Sequence, residues 1–550
     1  MQLRLWFSGR MRPCQGRDQG SIPCSRTLID SLIEDHISMN PISIETIPSF
    51  VSYVTLTLQK AGFESYLVGG CVRDMVMGKT PKDWDITTNA RPEQIQEVFS
   101  TYKTLYENDF GTVSVLNMSA NAEDRDSIPS SDKAFEGNEV QVTTYRSEGG
   151  YADNRHPDSV TYETSLVKDL ERRDFTINAL AFDPHFVNPD GSKGHIIDVF
   201  KGLSDIKDKT IRAVLEASKR FEEDALRMIR AVRFSTVLDF AIASDTMSAL
   251  TDQSERIANV SNERIRDELI KIILSPRPAL GITLLEKTGL LGYTLPELLD
   301  GIGCEQKGAH IYDVYQHLLH ALQHAADKEF SLEIRLAALF HDIGKPATRR
   351  YDRNKDKYTF FGHEVVGARI TKKIMDRLNF SRVTTNLVVS LVRNHMFFSD
   401  TEQITLSAVR RIIQKVTPEH IWELMQIREC DRVGMKKAEA PYRLRKYHAM
   451  IDEALRDPIS VGQLAIDGKY LMEVLHMKPG PRMGWILHAL LEEVLDNPLI
   501  NTVEQLHERA FDLEEQDDQT LKALGEKGRE KKDEVESREI NKIRSSHKVK

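Results

Sequence analysis

Cysteine is scarce in this chain: Cys14, Cys24, Cys71, Cys304 and Cys430 are the five among 550 residues, and none forms a CxxC pair. That scatter argues against a thiolate zinc site or a disulfide framework and fits a reducing compartment, expected to be the cytoplasm. Long apolar runs are missing too. No stretch reaches the roughly 18 apolar residues that span a bilayer, so no membrane partner is expected. Nor is there a general excess of positive charge: the formal net charge is -9 at pH 7, which leaves any polyanion to a local basic face. Residues 1–45 lack the continuous apolar core of a secretion signal despite a basic opening, MQLRLWFSGRMRP. They read as a poorly ordered extension, with Met39 as an alternative start or an organellar presequence as the other reading.

What is present points to several units, since domains typically take roughly 100–200 residues each. A head over 46–200 carries candidate strands in VQVTTYR, SVTYE and GHIIDVF, interrupted at 119–139 by a polar, acidic, serine-rich loop. Helical patterning dominates 201–305, 306–435 and 436–513. The tail, 514–550, mixes charges of both signs with few apolar anchors and reads as disorder or an exposed helix.

The most informative segment is GGCVRDMVMGKTPKDWD at 69–85. FESYLV before it predicts a short strand ended by Gly69 and Gly70, which let backbone N–H groups approach phosphate oxygens without a Cβ in the way. A second strand, DWDI, would turn Asp83 and Asp85 to one face by its period of two. Two hard oxygen ligands on one face suit Mg²⁺, which completes its octahedron with substrate phosphates and waters. Nucleotidyl transfer is therefore the first hypothesis, although a glycine pair alone is usually a turn and an isolated DxD usually a solvated loop.

Two further segments carry polar groups in patterns that suit a nucleotide. In RRDFTINALAFD, 172–183, a helix starting at Arg172 would place Asp174 and Asn178 on one face, with Arg172 and Arg173 free for phosphate and Asp174 for a ribose hydroxyl. The bland alternative is a capped helix with two surface arginines. Upstream, YADNRHPDSV predicts an exposed loop bearing Asp153 and Arg155. In FEEDALRMIRAVRF, 221–234, Asp224 and Arg227 are three apart and hence neighbours on a helix, with Glu223 a turn before Arg227. A carboxylate accepting from an exocyclic amino group and a guanidinium donating to the ring nitrogen fit cytosine and adenine, and mismatch uracil and guanine. An ordinary i,i+3 salt bridge is the competing reading.

Together with VTTYR at 142–146 and NVSNERIRDELIKIIL at 259–274, these motifs resemble the class II tRNA nucleotidyltransferases, the family of CCA-adding enzymes and bacterial poly(A) polymerases. The resemblance implies an α+β fold, with a polymerase-β-like head holding a mixed sheet, followed by helical neck, body and tail. It implies that Asp83 and Asp85 bind catalytic Mg²⁺, that Asp224 and Arg227 act as a protein template for CTP and ATP with Arg230 in the same segment, and that tRNA is the partner. Arg73 and Asp74 would help shape the triphosphate site, beside Gly69 and Gly70, while Arg172, Asp174 and Asn178 contact the nucleotide. Many relatives carry a carboxylate just before VTTYR where this chain has Gln141, so no third metal carboxylate is assigned. NDFGTVSV at 108–115 is similar to the CCA-adding pattern, and the loop of Asp153 and Arg155 resembles the one needed for the terminal A. An enzyme adding only the final A, a poly(A) polymerase and a non-catalytic RNA-binding scaffold remain as alternatives.

A second constellation runs from 310 to 434: HIYDVYQHLLHAL, HDIGKP, GHE, RNH and ECDRVG. Imidazoles and carboxylates spaced over separate helices can hold Mn²⁺, Fe²⁺, Ni²⁺ or Mg²⁺. This part resembles the HD phosphohydrolases. The resemblance carries metal binding onto His341 and Asp342, then His317 and Asp431, with His363 and His395 as the added ligands of two-metal sites. Hydrolysis of a 2′,3′-cyclic phosphate or phosphate ester is the implied reaction, unless the region has kept only its fold.

Overall fold

The computed structural model describes residue 42 and residues 44–107, 111–119, 139–149, 159–306, 311–354, 356–396, 404–433, 441–456 and 461–549. Most of the N-terminal extension, the loop interior at 120–138, and both Asp153 and Arg155 lie outside the described residues. By its internal contacts the chain divides into two units, residues 1–152 with 156–220, and residues 153–155 with 221–550.

The first unit is built on a mixed seven-stranded sheet. In chain order its elements are α1 (Ser49–Lys60), β1 (Ser65–Val68), α2 (Gly70–Val76), β2 (Asp85–Thr88), α3 (Pro92–Val98), β3 (Tyr102–Glu107), β4 (Thr112–Ser119), β5 (Glu139–Thr144), β6 (Arg146–Gly149), β7 (Ser159–Tyr162), α4 (Leu166–Glu171), β8 (Leu180–Val187) and β9 (Lys193–Asp198). The strands run β3-β4-β5-β2-β1-β8-β9 in the sheet, while β6 and β7 pair separately. Only β2 and β5 are parallel in the large sheet; the other neighbours are antiparallel. Alternation decides which side chains enter the core: in β5, Val140, Val142 and Thr144 are buried while Glu139 and Gln141 are exposed. Leu67, Ile86, Val113, Val115 and Phe182 complete the apolar face from neighbouring strands. In the β2/β5 register Asp85 stands opposite Gln141.

Helices dominate the second unit. The site rests on α6 (Leu226–Leu238), which follows α5 (Ala217–Glu223), and on α7 (Asn262–Ile273), α8 (Val314–Asp327), α9 (Leu332–Phe340), α10 (His363–Arg377), α11 (Arg382–Asn394) and α12 (Ile421–Asp431). A short hairpin, β10 (Arg350–Asp352) with β11 (Lys357–Thr359), separates α9 from α10. Side-chain caps start several of these helices: Asp313 accepts from the Gln316 amide, Ser331 from Ile334 and Ser381 from Thr384, each cap satisfying an amide the helix leaves unpaired.

The charged tail forms α14 (Asp518–Ser546), and one face of it docks on α13 (Pro481–Asp496). Gly525 and Gly528, three apart, make that approach possible. A Cβ at Gly525 would lie 2.7 Å from the Trp485 Cα, and one at Gly528 would lie 2.1 Å from the His488 carbonyl oxygen. Leu521 enters the cluster of Ile486, Leu490, Leu506 and Ala510. Of the two readings of the tail, the helical one holds for 518–546. Among the described residues no helix is long and apolar enough to cross a membrane.

Candidate active and metal sites

Gly69 ends β1 with φ +80°, a left-handed conformation that favours glycine. A Cβ there would sit 3.1 Å from Arg173 Nη1 and 3.9 Å from Asp85 Oδ2, so the turn, the guanidinium and the carboxylate share one small volume. The expectation that DWDI would put Asp83 in the strand does not hold: β2 begins at Asp85, and Asp83 lies in the bend just before it. It nonetheless stays close enough to act on its neighbour. Burial raises the Asp85 carboxyl above its usual range, the Arg173 charge opposes that rise, and the Asp83 charge adds to it. A divalent cation between the two carboxylates would remove both unfavourable contributions.

Around this turn the sequence-distant residues form one network. Arg73 donates through Nε (2.9 Å) and Nη2 (2.7 Å) to Asp74 Oδ1, and through Nη1 to Asn178 Oδ1 at 2.7 Å. Asn178 Nδ2 in turn donates to Asp174 Oδ1 at 3.2 Å. The expected helix at 172 is absent: α4 ends at Glu171, Phe175 is extended and bridges to Ala213, and 176–178 make a single 3₁₀ turn. Burying the whole Phe175 side chain and pairing its backbone with a distant segment outweigh local helix propensity. Asp174 and Asn178 still meet, by that turn rather than by helical spacing.

Asp169, which the sequence reading passed over, organises the arginines. Fully buried on α4, it accepts from Arg172 Nε (2.9 Å) and Nη2 (2.7 Å), Arg173 Nη2 (3.2 Å) and Thr87 Oγ1 (3.1 Å). Burial alone would raise its pKa, but Arg172 and Arg173 hold it below the usual carboxylate range. Arg172 is therefore not a free surface cation, and Arg173, paired with Asp169, lies close enough for its charge to act on Asp85.

In the second unit the expected single helix over 221–234 is broken at Asp224, between α5 and α6. Asp224 Oδ1 accepts from the Leu226 amide at 3.0 Å, the carboxylate acting as a cap on α6, while Oδ2 accepts from Arg264 Nη2 at 2.7 Å. Arg227 Nη1 donates to Glu223 Oε2 at 2.5 Å. Asp224 and Arg227 are thus each oriented by an outside partner, and the helical i,i+3 geometry expected for them does not describe the turn. Arg230 lies on the same helix, its guanidinium 5.5 Å from the centre of the Phe234 ring.

The six HD residues come together. His317 Nε2, His341 Nε2, Asp342 Oδ2 and Asp431 Oδ1 stand 3.1 to 3.5 Å apart along the measured pairs. On the other side of the shared carboxylate, Asp342 Oδ1 lies 3.2 Å from His363 Nε2 and 3.6 Å from His395 Nε2. Both groupings have their ligating atoms within 4.8 Å of one another. Ligands about 2.0–2.2 Å from one ion stand roughly 3.0–3.5 Å from each other, so the spacing fits. Three histidines are preset: the Nδ1 atoms of His341, His363 and His395 lie 2.8, 2.8 and 2.7 Å from the carbonyls of Ala338, Phe360 and Val392. Donating Nδ1–H there leaves Nε2 to ligate. Gly344 and Gly367 bring the two halves into backbone contact; a Cβ on Gly344 would be 2.2 Å from the His363 carbonyl oxygen.

Charge in this cluster is balanced internally. Burial favours neutral imidazole at His341, but Asp342 and Asp431 outweigh it and raise the pKa to about 10. Burial would raise Asp342, yet Lys345 and His341 hold it well below the carboxylate range; Asp431 is held low in the same way by His317 and His341. Lys345 Nζ is 2.5 Å from Asp342 Oδ2 and 2.6 Å from Gln306 Oε1.

Residues 65–212 match the family described as the poly A polymerase head domain, 239–301 the probable RNA and SrmB-binding site of polymerase A, and 309–434 the HD domain. The chain is 32% identical over 450 residues to a CCA-adding enzyme of Levilactobacillus brevis, covering 82% of this chain and 94% of that one. It belongs to the CCA-adding enzyme family. A CCA-adding enzyme of Lactobacillus helveticus is 31% identical over 468 residues, covering 84% and 96% of the two chains. Among solved structures, the Bacillus stearothermophilus CCA-adding enzyme in complex with CTP superposes with a TM-score of 0.51 at 26% identity, over 84% of this chain and 97% of that one. Two positions matter to this CCA-adding family member that sequence reasoning did not select, Asp169 and Arg264, and a third, Arg173, expected at phosphate, is instead paired with Asp169. Arg173 was visible beside Arg172, whereas Asp169 and Arg264 act through partners that only the fold supplies.

Proposed function

We propose that this protein adds C and A nucleotides to the 3′ end of tRNA without a nucleic-acid template, using CTP and ATP and releasing pyrophosphate. The observation that carries the reading is the gathering of Gly69, Asp85 and Arg173 at one turn, with Asp83 beside it, in a chain related over most of its length to CCA-adding enzymes. Asp83 and Asp85 would hold Mg²⁺, which when bound promotes attack by a hydroxyl and stabilises departing pyrophosphate. Gly69 and Gly70 leave room for the triphosphate, and Arg73 and Asp74 shape its surroundings. Arg172, Asp174 and Asn178 contact the nucleotide. Asp224 accepts from the base amino group, Arg227 donates to the ring nitrogen, and Arg230 supports the same segment; Asp153 and Arg155 serve the loop used for the last A.

The labour divides along the chain as a head at 46–200, base selection and RNA binding at 201–305, the HD region at 306–435, a C-terminal helical region at 436–513 and a charged tail at 514–550. The test is incubation with a tRNA transcript lacking its end, each NTP in turn and in combination, and sequencing of the products. C-C-A ends support the proposal. A single A on transcripts already ending in CC indicates an A-adding enzyme, long A tails a poly(A) polymerase, and bound but unextended tRNA a scaffold.

The His/Asp cluster favours a second activity. Three preset histidines and a shared carboxylate would hold Mn²⁺, Ni²⁺, Fe²⁺ or Mg²⁺, and the reaction class is hydrolysis of a 2′,3′-cyclic phosphate or phosphate ester. A bound ion supplies a water of lowered pKa. This chain's residues fix the ligand atoms: Lys345 and Gln306 steady Asp342, and the backbone carbonyls orient the rings.

A further inference from the structure

Between the ligands Asp342 and His363 the chain makes an excursion rich in rings and cations. Arg349 lies with its guanidinium carbon 3.8 Å from the centre of the Tyr358 ring, and Tyr358 meets Tyr351 across the β10/β11 hairpin at 5.4 Å and 61°. Arg350 extends from the same hairpin and is exposed. The excursion returns through Phe360, Phe361 and Gly362, whose φ of +78° turns the chain into α10. Both neighbours of Phe361 are tied to the cluster: the Phe360 carbonyl accepts from His363 Nδ1 at 2.8 Å, the Phe360 ring lies 5.7 Å from Lys345 Nζ, and Gly362 immediately precedes His363. Two residues of chain span at most about 7 Å, so Phe361 stands at the edge of the metal site. Its side chain is 87% exposed. Burying a phenylalanine would contribute about 1.5–3 kcal/mol to folding, which this turn forgoes.

We propose that Phe361 is a stacking platform for the nucleobase of the HD substrate, with Arg349 and Arg350 supplying positive charge for adjoining phosphates. The substrate class is then a nucleotide or single-stranded RNA 3′ end bearing a cyclic or terminal phosphate, in preference to base-free phosphate esters. Rings interleaved with cations are what single-stranded nucleic acid requires, because each base offers a face and each link a charge. The reaction breaks one P–O bond of the cyclic ester, forms a P–O bond to the water oxygen, and passes the water proton to the freed ribose oxygen. This inference rests on the phosphohydrolase reading of the HD cluster.

The test uses the full-length protein with Mn²⁺ and two ligands, adenosine 3′-monophosphate and base-free methyl riboside 3-phosphate, with released phosphate measured alongside so that turnover is separated from binding. Calorimetric binding is counted only where it disappears in H341A/D342A, which removes any contribution of the head. The parent is expected to bind the nucleotide more tightly. F361A should lose on the order of tenfold in nucleotide affinity while binding the base-free phosphate unchanged, and F361W should restore nucleotide binding. Unchanged nucleotide affinity in F361A, or equal losses for both ligands, overturns the proposal while leaving the cluster's phosphate chemistry standing. Absence of HD-dependent binding of either ligand by the parent overturns the phosphohydrolase reading, and this proposal with it.

Discussion

Arg264 Nη2 stands 2.7 Å from Asp224 Oδ2, so the carboxylate assigned to the base amino group is held by a guanidinium from another helix. Oδ1 is engaged by the Leu226 amide at the same time. The carboxylate is thus oriented before any base arrives, and under the proposed role it would meet that base with its remaining lone pairs. D224A and R227A are each expected to lose both rate and base discrimination, by roughly 1–3 kcal/mol as for a bidentate-type base contact. R264A should lose discrimination less steeply, because the acceptor survives but is no longer steered. Incorporation of each NTP into truncated tRNA checks this; normal C and A addition with U and G still refused by all three variants would make the network a purely structural bridge.

D83A or D85A should reduce nucleotide addition by at least about 10²-fold, since charge developing at the α-phosphate would lose its stabilisation. Circular dichroism and tRNA binding should change little. Removing the Asp85 carboxylate, which burial already disfavours as an anion, is not expected to destabilise the head. Near-normal addition by the folded double variant would place the chemistry elsewhere.

An H341A/D342A variant should lose bound metal and the hydrolysis of 2′,3′-cyclic AMP while still extending tRNA, because its two ligands lie in a separate constellation from Asp83 and Asp85. Elemental analysis and paired assays on one preparation read both outcomes. Unchanged hydrolysis would remove the HD assignment.

The His341 shift makes metal uptake depend on pH. With a folded pKa of about 10 against an ordinary value near 6.5, the ring proton stabilises the metal-free fold fully below about 6.5, and that contribution is lost as pH rises through about 10. An ion taking Nε2 must displace this proton, so Mn²⁺ affinity should rise up to about tenfold per pH unit in that window. Titrations in buffers of different ionisation enthalpy should show one proton released. Affinity that ignores pH would mean that His341 is already neutral.

Much of the head site was legible because its signals are local. A glycine pair after an aromatic and branched run marks a turn wherever it occurs, and Asp85 follows directly into a strand. The misreadings share a physical origin in distant partners. Phe175 is drawn out of helix by pairing with Ala213, and Asp224 leaves helical geometry to cap α6 and meet Arg264. Asp169 looks like any surface carboxylate in sequence until Arg172, Arg173 and Thr87 surround it. The HD ligands were legible as motifs, but the sharing of Asp342 between two groupings belongs to the fold alone.

Gly528→Val should weaken the docking of α14 on α13, since the His488 carbonyl oxygen leaves no room for a side chain. A loss of roughly 1–3 kcal/mol is expected for such overpacking. Earlier proteolysis near the C-terminus would report it, and unchanged protection would mean that the two helices part at no cost.

Because the two oxygens of Asp342 face different ligand sets, the two sides of the cluster are thermodynamically linked. A cation held on one side would draw on the shared carboxylate, would compete with Lys345 for Oδ2, and would change the charge that the other side offers. The effect is reciprocal: whatever the first ion does to the affinity of the second, the second does to the first. Occupancy of the pair is then one property of the cluster, set by a single side chain.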